Sequence, residues 1–436
     1  MDVEEEKRRD DSAEEEEDVD ENEAPSPVKC RSTVLDLDYH PTERLICCGL
    51  VSSELEIWIQ KNDDGPSAQF SRVARITGLH RQEACRTIAF NPQGTILFTG
   101  GADGGLHGID CSQGQTIWTC FQGNDKIPVN RISTCLANEL GPTVLLSGDE
   151  NGTIKLWDIR EKPDAPKFNF PASHQDFVSD FCYAQEEKRL LTTGGDGTLS
   201  VFDLRKLAKV RGEARSEELE TELLSIALLK NGKKVLCGTQ EGLISIFNWG
   251  KWEFPSDTIT GHPHSVDCLL KLDEDTILTG SSDGIIRIVR VHPHKLLGVI
   301  GYHDDFPVER MKFSPDKRLV ATCSHDNLVR FWDTGFLVDS LDDLKEMGDL
   351  GGMSSGGNNQ TARGSDVEMG SDDDDDEDGG DGNDANMGGD SDSEDEAKKK
   401  RKKAKPKKLA TVIRQATQQA KKKAKSGGSG SFFDDL

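Results

Sequence analysis

Several short strings in this 436-residue chain have the residue types and spacing of chemical sites. Gly280-Ser281-Ser282-Asp283-Gly284 has the Gly-x-Ser-x-Gly spacing of a nucleophile elbow, where a strained turn lifts a serine hydroxyl above a sheet. Gly100-Gly101-Ala102-Asp103-Gly104-Gly105 has the glycine density of a phosphate-cradling loop. His262-Pro263-His264 and His292-Pro293-His294 each offer two imidazoles that could start a metal site. Each of these chemistries demands a setting. The elbow and the phosphate loop need a helix directly after the turn, yet Ile285-Ile286-Arg287-Ile288-Val289 reads as a strand and no helix follows Gly105. Neither histidine pair has a Cys, Asp or Glu at ligand spacing. No nucleophile, base and oxyanion donors converge, so the expectation is no enzyme activity, no metal and no cofactor.

Charge points to binding instead. Residues 1–24 hold fourteen acids and three bases, residues 366–396 hold sixteen acids and no base, and residues 398–425 hold fourteen Lys/Arg and no acid. The formal net charge of −26 therefore conceals a strongly basic segment. Lys398, Lys399, Lys400, Arg401, Lys402, Lys403, Lys405, Lys407 and Lys408 have the composition of a nuclear and nucleolar address and of a sequence-blind RNA contact. Beyond them, Leu409, Val412, Ile413, Ala416 and Ala420 share one helical face, which predicts a helix formed on binding RNA or a ribosomal-particle partner. Ser371, Ser391 and Ser393 each precede an acid by three residues, as acidophilic kinase sites do, and phosphate there would deepen the negative block. Phe432-Phe433-Asp434-Asp435-Leu436 looks like a short docking motif. Blocks so poor in apolar residues cannot offset the entropy of ordering, so both tails are expected to be disordered.

The classes excluded are equally plain. No stretch approaches the roughly 18 uncharged apolar residues of a membrane span, and Met1-Asp2-Val3-Glu4 does not begin a signal pattern. The eleven cysteines are odd in number and form no Cys-x-x-Cys pair, which fits a reducing intracellular compartment without a disulfide framework.

The elements that must position any site come from a repeat. SGDENGTIKLWD (147–158) recurs as SHDNLVRFWD (324–333), TTGGDGTLSVFD (192–203), TGGADGGLHGID (99–110), TGSSDGIIRIVR (279–290), CGTQEGLISIFN (237–248) and, degenerately, CGLVSSELEIWI (48–59). The turn residues are Ser53, Gly104, Gly152, Gly197, Gly242, Gly284 and Asn327, at intervals of 51, 48, 45, 45, 42 and 43 residues. Asp-Gly between two alternating runs signals a hairpin, because the turn needs positive φ. A further strand precedes most cassettes, as in Ile88-Ala89-Phe90-Asn91-Pro92. No sustained 3.6-residue apolar period appears, and Ser216–Leu224 offers at most one helical turn. The fold class is all-β, seven units of four short antiparallel strands.

These cassettes resemble the WD-repeat β-propeller family over roughly residues 30–342. The resemblance implies a seven-bladed propeller over 25–342, an acidic tail at 1–24, a linker at 343–397, a basic segment at 398–425 and a Phe-Phe tail at 426–436. It implies a hydrogen-bonded blade tetrad, complete in type at His303, Thr322, Asp326 and Trp332. Phe202 replaces Trp beside His174, Thr192 and Asp196, and Val289 replaces it beside His262, Thr279 and Asp283. Ring closure falls either to residues 25–33 or to 335–341. Top-rim candidates by alignment are Asp36, Arg86, Arg131, Asp180, Asp267 and Arg310. The endings Trp157-Asp158-Ile159-Arg160 and Phe202-Asp203-Leu204-Arg205 resemble the box with which substrate receptors dock on the adaptor of cullin-RING ubiquitin ligases, Trp157, Asp158, Arg160, Asp203 and Arg205 being the adaptor-binding candidates. The propeller with an acidic run, a Lys-rich extension and a Phe-Phe end is similar to a nucleolar branch of the family. That implies a monomeric, non-enzymatic scaffold in ribosomal RNA processing and ribosome biogenesis, located in nucleus and nucleolus, with a cytoplasmic pool left open. Its implied partners are pre-ribosomal proteins, and RNA through the basic tail. The rivals are a ubiquitin-ligase substrate receptor and a histone-binding propeller.

Overall fold

The computed structural model describes residues 25–339 except 62–67, 122–125, 163–164, 172–173, 206–211 and 305. The acidic and basic tails, the three serines, Lys398 to Lys408 and the Phe-Phe end lie outside the described residues.

Within them the chain forms seven four-stranded antiparallel sheets, each a blade with strands a to d from the centre outward. Blade 1 comprises Val34–Tyr39, Leu45–Leu50, Leu55–Lys61 and Gln69–Ile76. Blades 2 to 6 follow in order over 85–121, 129–169, 178–215, 223–259 and 266–302. Blade 7 takes strands a to c from Arg310–Phe313, Leu319–Cys323 and Leu328–Asp333, and its strand d from Val28–Lys29 near the other end of the described chain. Val28 pairs with Val329 and Lys29 with Leu328, so residues 25–33 supply the closure. Residues 335–339, the other candidate, turn helically, with Leu337 and Val338 N–H groups donating to the Thr334 carbonyl. Residues 216–222 are not helical and lead into strand a of blade 5, Leu223–Leu229. One short helix, Ala137–Leu140, was not legible in the apolar pattern.

The repeat's turn chemistry is realised seven times. Ser53, Gly104, Gly152, Gly197, Gly242, Gly284 and Asn327 all take φ between 61° and 81°. A Cβ at Gly242 would sit 2.4 Å from the His262 carbonyl oxygen, so glycine there serves close approach as well as φ. Inner strands are buried on both faces: strand b of blades 2, 3 and 6 is buried at every position. The core therefore lies between blades. Leu191 and Val201 of blade 4 pack against Val235 and Phe247 of blade 5, and Phe98 and Trp118 of blade 2 against Leu145 and Trp157 of blade 3. Closure leaves only strand d edges to solvent, and these are either very short or kinked. Phe168–Asn169 and Asp257–Ile259 have two and three residues, whereas the longer Gln69–Ile76 and Gln115–Phe121 carry bulges at Val73 and Ile117. Both devices discourage edge-to-edge pairing.

One irregularity positions the site. In six blades the register of strand a against strand b slips after its first residue: between Val34 and Asp36, Cys85 and Thr87, Val129 and Arg131, Val178 and Asp180, Leu223 and Ser225, and Val266 and Cys268. Each slip is a β-bulge, which re-aims the side chain that follows it.

Candidate functional site: a channel belt and two strand-c corners

Strand a starts level with the end of strand b, so the bulges and the b–c hairpins share one face of the ring. The bulge separates two sets of side chains. Those on the bulge, Arg86 and Asp267 among them, stay at the rim. Those one residue later are Asp36, Thr87, Arg131, Asp180, Ser225 and Cys268, with Arg310 in the matching place of blade 7; they turn inward to the next blade. The Asp36 carboxylate accepts from Ile88 N–H at 2.9 Å and from Thr87 Oγ1 at 3.0 Å. Thr87 Oγ1 in turn accepts from Ile132 N–H, and Arg131 Nε donates to Asp180 at 3.0 Å. Asp180 accepts from Ile226 N–H, Ser225 Oγ donates to the Val266 carbonyl, and Cys268 Sγ lies 3.4 Å from the Val308 carbonyl. Arg310 Nε lies 4.0 Å from Asp36 and completes the circuit. Seven positions, one per blade, thus make a closed polar belt.

This corrects the rim assignment. Asp36 is 1 % exposed, and Arg131, Asp180 and Arg310 are partly buried channel residues, because one inserted residue moves them past the rim. A cavity of about 240 Å³ adjoins the belt, lined by its Arg131, Asp180, Cys268 and Arg310 together with Asp38 and Lys312, which pair at 3.3 Å. At the rim, Arg86 donates to Asn130 Oδ1 and faces Glu150 at 3.6 Å. Asp267 has one buried carboxylate oxygen without a hydrogen-bond partner, and burial pushes its pKa up to about 6.

The tetrads lie farther out in the blades. His303 Nδ1 meets Asp326 at 3.3 Å, its Nε2 meets Thr322 Oγ1 at 2.6 Å, and Trp332 Nε1 donates to that same oxygen at 2.9 Å. Burial lowers the His303 pKa, so the ring is neutral and Nε2 accepts from the threonine. His174 likewise meets Asp196 and Thr192 at 3.1 and 2.8 Å. In blade 6 the arrangement differs from the alignment. His262 meets Thr279 at 2.8 Å, but its Nδ1 has no partner, because Arg287 holds both oxygens of Asp283. Burial pushes the His262 pKa down to about 4. A further tetrad set escaped the sequence reading: His80 meets Asp103 and Thr99 at 3.2 and 3.0 Å. Its signal was present, since His80 precedes Thr99 by the same nineteen residues that separate His303 from Thr322. Among the described residues, no group of three or more His, Cys, Asp or Glu could hold a metal ion.

On the opposite face, where strand c ends, Trp157 Nε1 donates to Ser147 Oγ at 2.8 Å and is buried within its blade. Its neighbour Asp158 holds Arg160 through two bonds, at 2.9 and 2.6 Å, and Asp203 does the same for Arg205. The Arg160 bond holds the Asp158 carboxyl well below the usual carboxylate range, and Arg205 brings Asp203 down to about 2. The two arginine side chains remain 64 % and 62 % exposed. Each of these two blade corners therefore presents a largely exposed guanidinium oriented by its own aspartate.

With this geometry in hand, the comparisons with known proteins decide the lineage. A sequence profile of the WDR55 family matches residues 25–337, which span all seven blades including the closing strand. The chain belongs to the WDR55 family. It is 34 % identical over 298 residues to WD repeat-containing protein 55 of Arabidopsis thaliana, covering 68 % of this chain and 79 % of that one. It is 32 % identical over 311 residues to WD repeat-containing protein 55 of Homo sapiens, covering 71 % and 77 %. WD repeat-containing protein JIP5 of Coprinopsis cinerea is 34 % identical over 314 residues, covering 70 % and 72 %. A WDR55-family propeller is a WD-repeat scaffold suited to protein–protein contacts, and its rim and strand-c corners are exposed surfaces for them.

Proposed function

We propose that this chain is a nuclear and nucleolar scaffold that supports ribosomal RNA processing and ribosome assembly. The observation that carries the reading is the pairing of a WDR55-family propeller with the Lys/Arg block 398–408 in one chain. The rim groups on the bulges, Arg86 and Asp267 among them, offer side chains to a protein partner. The basic block supplies a salt-dependent, sequence-blind contact to RNA. Affinity purification with and without RNase tests this. Pre-ribosomal proteins should be recovered, with part of the set lost after RNase; recovery of histones or of cullin without pre-ribosomal proteins would overturn it. Replacing Lys398 to Lys408 by glutamine is expected to remove nucleolar enrichment in imaging.

A second reading is favoured by one observation. Arg160 and Arg205 occupy equivalent, exposed corners of adjacent blades, each aimed by its own aspartate. A ligase adaptor with carboxylate acceptors at that spacing would fit them. The double variant Arg160→Ala, Arg205→Ala should then lose adaptor in a pull-down, and undiminished recovery would sink this reading.

A further inference from the structure

Blade 5 departs from its siblings at one corner, and the repeat itself supplies the comparison. Strand c of blades 3 and 4 runs out as Trp157-Asp158-Ile159-Arg160 and Phe202-Asp203-Leu204-Arg205. In blade 5, strand c (Ile244–Asn248) leads instead into Trp249-Gly250-Lys251-Trp252-Glu253-Phe254-Pro255. The Lys251 N–H donates to the Asn248 carbonyl at 2.9 Å with Gly250 at φ 79°, a tight turn whose corner residues are Trp249 and Gly250. Trp252 is buried in the core shared by blades 4 and 5, and its ring meets that of Trp249 edge-on at 5.0 Å. Trp249 is half-buried and Phe254 is 58 % exposed. The Trp249 N–H donates to the Lys233 carbonyl at 2.9 Å, which sets the a–b turn of the blade beside the aromatic group. Lys233 and Lys251 are exposed, and among the described residues neither has an acid within ion-pair distance. Glu253 is the one acid in the loop; its carbonyl accepts from Glu217 N–H.

A phenylalanine left in water forgoes on the order of 1.5–3 kcal/mol of burial. The residues of the corner, an exposed Phe254, a half-buried Trp249 and the exposed Lys233 and Lys251, call for an occupant with aromatic side chains followed by carboxylates. The chain carries that order in Phe432-Phe433-Asp434-Asp435-Leu436. We propose that residues 432–436 dock in cis on this corner, the two phenylalanines on Phe254 and Trp249 and the two aspartates on Lys251 and Lys233. Residues 340–431 are chain enough to reach it: even at random-coil dimensions a linker of that length spans roughly 50 Å. Tethering raises the local concentration of the segment, so a contact too weak to hold a free peptide can stay occupied. A protein partner with the same aromatic-then-acidic chemistry would have to displace the segment before it could use the corner.

The test uses a fluorescent peptide of residues 426–436 and polarisation. Three proteins are compared: the full chain, the chain ending after Ser431, and that shortened chain with Phe254→Ala. The shortened chain should bind the peptide. The full chain should bind it at least tenfold more weakly, because its own segment competes, and Phe254→Ala should lose at least tenfold. Phe254 is exposed, so the substitution leaves the blade intact, and unchanged far-ultraviolet circular dichroism checks this. Equal affinity of the full and shortened chains, or indifference to Phe254→Ala, would overturn the proposal. So would a full chain that sediments as a dimer and becomes monomeric on shortening, since docking would then be in trans. Displacement of the peptide by a scrambled sequence as readily as by unlabelled peptide would also overturn it, and a single-stranded RNA bound at Phe254 in place of the peptide would assign the corner to nucleic acid.

Discussion

Thr322 Oγ1 serves two buried partners at once, accepting from Trp332 and donating to His303. Thr322→Val keeps the shape and removes both bonds, leaving an indole N–H and an imidazole nitrogen orphaned. The expected loss is about 2–4 kcal/mol of unfolding free energy in a denaturant titration. Blade 1 shows the same absence in nature: Cys48 stands at the threonine position, and the Trp58 indole N–H has no partner. Titration reaches the same scale. Burial pushes His107 and His262 down to about 4, whereas the unfolded chain protonates such rings near 6.5. Between those values the unfolded state binds more protons, so their contribution is complete above pH 6.5 and is lost as pH falls toward 4. Asp267 has the opposite sign. Its folded carboxyl titrates near 6 and its unfolded one near 3.9, so its contribution worsens as pH rises through that window. Asp267→Asn should therefore raise stability at pH 8 by about 1–2 kcal/mol and leave it unchanged at pH 3.5, read from urea midpoints.

At the scale of the element, the b–c turn is the most legible object in the sequence. The recurring cassette located all seven turns, with Asp-Gly at three, Asn-Gly, Glu-Gly and Asp-Asn at three more and Ser52-Ser53 in the degenerate one, because positive φ favours glycine and asparagine. Ser53 adopts φ 64° where five siblings have glycine. Ser53→Gly is expected to stabilise by about 1 kcal/mol by relieving the left-handed backbone, partly offset by the freer unfolded chain. The thermal midpoint should rise; a fall would show that the serine side chain holds the turn. The bulge in strand a was not legible, since it is one extra residue with no compositional mark. For that reason one aligned set of candidates mixed Arg86 and Asp267 at the rim with Asp36, Arg131, Asp180 and Arg310 in the channel. Closure was half legible. Val28-Lys29 is too short to show a period, and only pairing with Leu328 and Val329 separates it from the rival segment. The blade 5 corner went unnoticed because its aromatics replace a motif and do not form one.

Across the whole molecule the belt joins what the blades hold apart. Arg131 of blade 3 lies 3.7 Å from Asp36 of blade 1 and 3.0 Å from Asp180 of blade 4, so it reaches across the channel as well as to its neighbour. Arg131→Ala would leave the buried Asp36 carboxylate with only Arg310, 4.0 Å away, as a cation among the described residues. The expected cost is about 3 kcal/mol, appearing in one cooperative transition of the whole ring. Arg310→Ala should cost less, as its contact with Asp36 is 4.0 Å. Loss of a single blade's signal, with the rest unfolding as before, would show that the belt does not couple the ring.

The strand that closes the ring also sets a schedule for its making. Val28 is synthesised about 300 residues before its partner Val329. At roughly 5–20 residues per second the ribosome takes on the order of 15–60 s to cover that distance. Through that interval six blades can assemble as they emerge, while the first strand made has no sheet to join. The propeller is thus completed by its oldest segment meeting its youngest, and a translation pause before Leu328 holds the ring open.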